Sequence, residues 1–157
     1  MTILGIDSAT KTGWCLLNSK TGEVIESGVE DFTKRRGESN GMLFMKFRHW
    51  LNSLVNMQAL PKMIVYEQAH HRGGAATELC TNLTGRIQEV SAVYGIEYTS
   101  VRTTTLKLWF AGKGNAGKDL MINHAKIVLG REPIDDNEAD AVALACYGFS
   151  HYFKGTK

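Results

Sequence analysis

Two prolines among 157 residues leave no proline-rich linker, and no low-complexity tract interrupts the chain, so residues 1–157 read as one compact domain. Cysteine is equally scarce. Cys15, Cys80 and Cys146 are odd in number, widely spaced and set in apolar stretches, which lacks any zinc spacing and suits reduced core thiols of an intracellular protein. No apolar run is long enough to cross a bilayer, and the first residues lack the basic region and apolar block of a signal peptide, so a soluble, cytoplasmic protein without a membrane partner is expected. Charge of one sign is missing too: a formal net charge of +2 does not by itself point to a polyanion. What the chain has in quantity is apolar residues, 43% of the total, enough for a sizeable core.

The first fourteen residues, MTILGIDSATKTGW, organise the rest. Ile3, Leu4 and Ile6 form a short apolar run that reads as a buried strand with Asp7 at its carboxyl end. An unpaired carboxylate there would cost several kcal/mol, so Asp7 is expected to meet a metal or a phosphate-bearing ligand. Gly13 reads as a turn, and Trp14, Cys15, Leu16 and Leu17 as a second strand. Actin-like ATPases open on such a hairpin but need two large lobes; nucleases of the ribonuclease H type fit one.

Glu23 to Phe32 alternates as a third strand, and a helix is predicted from Ser39 to Met57 with Phe47, Trp50, Leu51 and Leu54 as its core stripe. Met63 to Tyr66 is apolar on both faces, as a central parallel strand should be, and Glu67 stands at its end. The loop His70 to Ala76 leads into a helix reaching about Tyr94, and Ile96 to Val101 is the fifth strand. A right-handed crossover would lay the fourth strand parallel to the first, bringing Asp7 and Glu67 together on strands roughly 5 Å apart.

Positive charge gathers after the fifth strand, at Arg102, Lys107, Lys113, Lys118, Lys126 and Arg131, with glycines 112, 114 and 117 between two short helices. The stretch AGKGNAGK is no P-loop, because a helix and not a strand precedes it and the glycine spacing is wrong; no nucleotide cofactor is expected. The last helix begins at Asp135 or Asp136. Asp135 with Glu138 has the spacing of a capping box, whereas Asp136 and Asp140 fall within ~40° on one side and have no structural task.

These segments in order, GIDSATKTGW with Asp7, IVYEQ with Glu67, Lys107 followed by AGKGNAGK with Lys118, and DDNEADAVALA with Asp140, resemble the RuvC-like Holliday-junction resolvases, particularly the small phage-encoded ones. The resemblance spans essentially the whole chain. It implies an α/β, ribonuclease H-like fold with a five-stranded mixed sheet flanked by helices, and a homodimer that cuts branched DNA symmetrically. It also implies two Mg2+ ions held by carboxylates, with Mn2+ as a substitute. Asp7, Glu67 and Asp140 would be metal ligands, and Lys107 and Lys118 would approach phosphate, Lys118 within the catalytic set. Lys113 adds to the basic stretch.

The chain departs from the family at Asn137, where Asp or His is usual three residues before the last Asp. Charge favours Asp136 as the fourth ligand, one turn before Asp140, with Asn137 as the alternative. His70 and Arg72, just past Glu67, are expected to meet DNA, His70 as a stacking wedge. The helix ending at Tyr94 offers Thr81, Gly85 and Ala92 opposite its core stripe as a face for a second copy. Other readings are a nuclease on other branched or hybrid substrates, or a catalytically silent junction-binding protein.

Overall fold

A computed structural model describes residues 1–57, 59–70 and 73–155. Five strands, β1 (Thr2–Asp7), β2 (Lys11–Asn18), β3 (Val24–Asp31), β4 (Met63–Glu67) and β5 (Glu97–Val101), form one sheet in the order β3-β2-β1-β4-β5. The first three run as an antiparallel meander. β4 and β5 lie parallel to β1, because α1 (Asn40–Asn56) and α2 (Ala75–Tyr94) carry the chain back across the sheet between them. After β5 come α3 (Thr103–Ala111), α4 (Lys118–Leu129), α5 (Asp136–Gly148) and a π-helical turn, Phe149–Phe153. The five-stranded mixed sheet expected from the sequence is therefore present, with the ribonuclease H-like strand order.

Local signals explain most elements. Ser39 caps α1 by accepting the Met42 N–H at 3.3 Å, and Leu43, Phe47, Leu51 and Leu54 form its buried face. β1 is buried on both faces, so alternate residues feed two cores. Leu4 and Ile6 join Phe47, Leu51, Ile64 and Ile87 beneath α1 and α2. Ile3 joins Cys15, Leu17, Val65, Ala139 and Val142 beneath α5.

Gly13 corrects the sequence reading. It makes no turn; it sits inside β2, paired with Asp7, where a Cβ would stand 1.8 Å from the Asn137 carbonyl oxygen. A Cβ on Gly5 would likewise lie 2.3 Å from the Ala141 carbonyl oxygen. Glycine at both positions lets the backbone of α5 rest directly on the sheet. Cys80 also departs from expectation. Cys15 is a core thiol, but Cys80 is only half-buried and lines a surface cavity near Asp7. Among the described residues, no helix is long and apolar enough to cross a membrane.

Candidate active site

Parallel pairing sets Ile6 beside Tyr66, so the next residue on each strand, Asp7 and Glu67, emerges at the same end of the sheet. The close seat of α5 on Gly5 and Gly13 brings its first turns to the same place. As a result Asp7, Glu67, Asp136 and Asp140 line one cavity of about 300 Å³, joined by Lys107 from α3 and by His70 from the loop after β4. Four segments distant in sequence thus supply one site.

Its electrostatics are those of crowded anions. Burial, followed by the negative charges of Asp140, Glu67, Asp136 and Asp135, holds the Asp7 carboxyl well above the usual carboxylate range. Asp140 is pushed up to about 7, first by burial and then by Glu67, while Lys107 and Lys118 oppose the shift. Lys118 reaches Asp136 at 3.1 Å from a largely exposed position at the start of α4. A cluster of carboxylates that disfavour one another's charge is a site short of positive charge.

Asp135 caps α5 by accepting the Glu138 N–H at 3.1 Å, which makes Asp136 the first helical residue. Asp136 and Asn137 both line the cavity, so both alternatives for the fourth ligand stand in place. The Asn137 side-chain amide donates to Asp135 at 3.1 Å, leaving its carbonyl oxygen unengaged in that bond. The donors are oxygen-rich, which suits a hard divalent cation rather than zinc. Among the described residues no three His, Cys, Asp or Glu side chains already converge on one point, so ligation would draw these side chains inward.

Several other assignments take a different form. The Asp135–Glu138 capping box is only half made: Glu138 does not reach back to Asp135 but is fully buried, held by Arg131 Nη2 and Nη1 at 2.6 and 3.2 Å, by the Ser27 hydroxyl at 2.6 Å and by the Ile134 N–H at 2.6 Å. Arg131 is accordingly tied to that carboxylate, and Lys126 pairs with Glu132, so neither stands free in the basic stretch. Lys113 is exposed on the α3–α4 loop outside the cavity lining. Arg72 lies outside the described residues.

The sequence reading missed Thr103. Its hydroxyl donates to Glu67, and the His70 Nε2 lies 2.8 Å from Thr103 Oγ1. The only signal was its place: it opens a helix directly after the fifth strand, beside the end of β4.

A carboxylate cavity at the ends of β1 and β4 beneath α5, on this sheet order, is a ribonuclease H-like fold with an acidic cleft. No protein-family model matches the chain. It is 25% identical to the crossover junction endodeoxyribonuclease RuvC of Brachyspira hyodysenteriae over 148 residues, covering 92% of this chain and 91% of that protein. The enzyme of the same name from Anaeromyxobacter sp. (strain K) is 41% identical over 51 residues, a stretch that spans only 28% of that relative. In fold, a structure of Thermus thermophilus RuvC matches with a TM-score of 0.78 at 18% identity, over 95% of this chain and 94% of that one. T. thermophilus RuvC in complex with Holliday junction substrate matches with a TM-score of 0.80 at 19% identity, over 98% and 94%. The chain is thus RuvC-like in both sequence and fold, as its four ordered motifs implied.

Proposed function

We propose that this chain is a divalent-metal-dependent endonuclease that resolves four-way DNA junctions, acting inside the cell as a homodimer of single-domain subunits and making paired symmetric cuts. The observation that carries the reading is the shared cavity of Asp7, Glu67, Asp136 and Asp140, whose mutually unfavourable charges call for a cation. Asp7, Glu67, Asp140 and Asp136 would hold two Mg2+, with Mn2+ able to substitute and Asn137 as the alternative to Asp136. When bound, the two ions activate water and neutralise the charge that develops on the phosphate.

The remaining work falls to the chain. Lys107 and Lys118 approach the phosphate, Lys118 from its contact with Asp136, and so orient the scissile strand against the carboxylates. Lys113, exposed on the α3–α4 loop, and Arg72, by its charge, are the further DNA contacts of this reading. His70, whose side chain is 59% exposed at the cavity mouth, is placed to stack on an unpaired base at the junction centre. Two cuts need two sites; exposed Thr81 and Ala92 on α2, with open space at Gly85, provide a face that a second copy can approach closely.

The test is incubation of the protein and Mg2+ with a synthetic four-way junction, a Y-fork and a linear duplex. Symmetric nicks confined to the junction are expected; equal cutting of all three, or none of the junction, would sink the proposal. The fourth ligand is decided by Asp136→Asn and Asn137→Ala across a Mg2+ titration. Asp136→Asn should need more Mg2+; normal cutting by it alongside an inactive Asn137→Ala would transfer the role to Asn137.

A further inference from the structure

Thr103 is the first residue of α3, and parallel pairing of β4 with β5 sets that helix start beside Glu67. A threonine hydroxyl has one proton to donate and lone pairs with which to accept. Here the proton goes to Glu67 Oε1, so the 2.8 Å contact with His70 can be made only by an Nε2–H donating to Thr103 Oγ1. His70 Nε2 is 3.8 Å from Glu67 Oε1, too long for a direct hydrogen bond, which leaves Thr103 as the link between the two side chains.

His70 and Thr103 also stand between two cavities. On one side is the carboxylate cavity; on the other is a space of about 220 Å³ lined by Arg102 and Thr104 as well as by the same pair, with Gln68 and Ala69 also shared between the two. A nucleotide seated against His70 in the second space would therefore press on a side chain hydrogen-bonded, through one hydroxyl, to a carboxylate of the first. Lys107, one turn after Thr103, lines the carboxylate cavity, so the same helix presents both groups.

We infer that Thr103 is a positioning residue: its single hydroxyl holds Glu67 in place and fixes the tautomer and ring orientation of His70, coupling the DNA-facing loop to the metal-holding carboxylate. The inference rests on the resolvase reading above. Hydrogen-bond partners of ligating carboxylates commonly change metal affinity or activity by about 10- to 100-fold when removed. Valine matches threonine in shape without the hydroxyl, so Thr103→Val removes these hydrogen bonds with little change in volume.

The experiment compares the wild-type chain with Thr103→Val and Thr103→Ser. In the metal-free protein near pH 8.5, about two units above the usual histidine range, long-range nitrogen–proton spectra should show wild-type His70 and the Thr103→Ser variant as the Nε2–H tautomer, and Thr103→Val as a tautomer mixture. Calorimetric titration with Mn2+ should show about 10-fold weaker binding for Thr103→Val, restored by serine. Junction cutting should lose kcat by a similar factor with KM for the junction little changed. An Nδ1–H tautomer in the wild type, or wild-type Mn2+ affinity and kcat in Thr103→Val, would overturn the inference. A wild-type chain that neither binds Mn2+ nor cuts any junction would overturn the resolvase reading and the coupling together, whereas cutting by the wild type with an unaffected valine variant would remove the coupling alone.

Discussion

Glu138 and Asp140 lie two residues apart on α5, about 200° around the helix, and their surroundings are opposite. Glu138 has no exposed surface, yet every carboxylate lone pair has a partner; burial raises its pKa, but Arg131, Ser27 and the Ile134 N–H outweigh that and hold it below the usual range. Asp140 is less enclosed, faces Glu67 and Asp136, and is pushed up to about 7. One side of the helix start is thus a neutralised clamp between α5, β3 and the α4–α5 loop, and the other is an open acidic cavity that Lys107 and Lys118 compensate only in part. Satisfied charge fixes the helix so that unsatisfied charge can be presented.

The largest effect should come from the acidic side. Asp7→Asn is expected to lower junction cleavage by about 10³-fold, ~4 kcal/mol in barrier. Junction binding should persist or tighten as repulsion of phosphate falls. A gel-shift assay beside a cleavage assay separates the two; weak binding with normal cutting would contradict the proposed role.

The clamp side should respond in stability instead. Glu138→Ala leaves the Ser27 hydroxyl, the Ile134 N–H and the Arg131 guanidinium without their shared partner, for a loss of about 3 kcal/mol in denaturant unfolding. Unchanged stability would mean that the clamp does not hold α5.

The two carboxylates should also give opposite pH slopes in the metal-free protein. A folded-state pKa raised to about 7 means that Asp140 favours folding fully only below the ordinary carboxylate range, and that this contribution is lost as pH climbs toward 7. Glu138, with its pKa lowered, contributes stability above its ordinary value of 4.5 and loses it as pH falls below that. Stability to thermal unfolding should therefore fall between about pH 5 and pH 7, on the order of 2 kcal/mol, with Asp140→Asn or added Mg2+ flattening the slope. A profile that rises with pH over that window would refute the assignment.

The smallest stability effect should be at Lys118, whose contact with Asp136 is largely solvent-exposed. Lys118→Ala is expected to change stability by less than about 0.5 kcal/mol, yet to reduce the salt dependence of junction binding by about one phosphate contact. An unaltered slope would remove Lys118 from the DNA contacts.

Much of this was legible along the chain. Short apolar runs ending in Asp7 and Glu67, the helical stripe through Phe47, Leu51 and Leu54, and helix starts at Ser39 and Asp135 are local signals, written within a few residues. From these alone the parallel pairing of the fourth strand with the first and the meeting of the two strand-end carboxylates followed, because a helix between parallel strands leaves little choice of connection.

Three features were decided only by the tertiary structure. Gly13 looked like a turn residue, and its use appears only when the α5 backbone is set against β2. Glu138 looked like half of a capping box, but its partner Ser27 lies 111 residues away, and no spacing rule reaches across that separation. Thr103 carried no motif; it matters because β4 and β5 run parallel and deliver the start of α3 to Glu67. Sequence periodicity determines which face of an element is buried, since that depends on neighbours a turn or a pleat away. Which side chains meet across elements depends on how closely two backbones can approach, and that is settled only when the chain is packed.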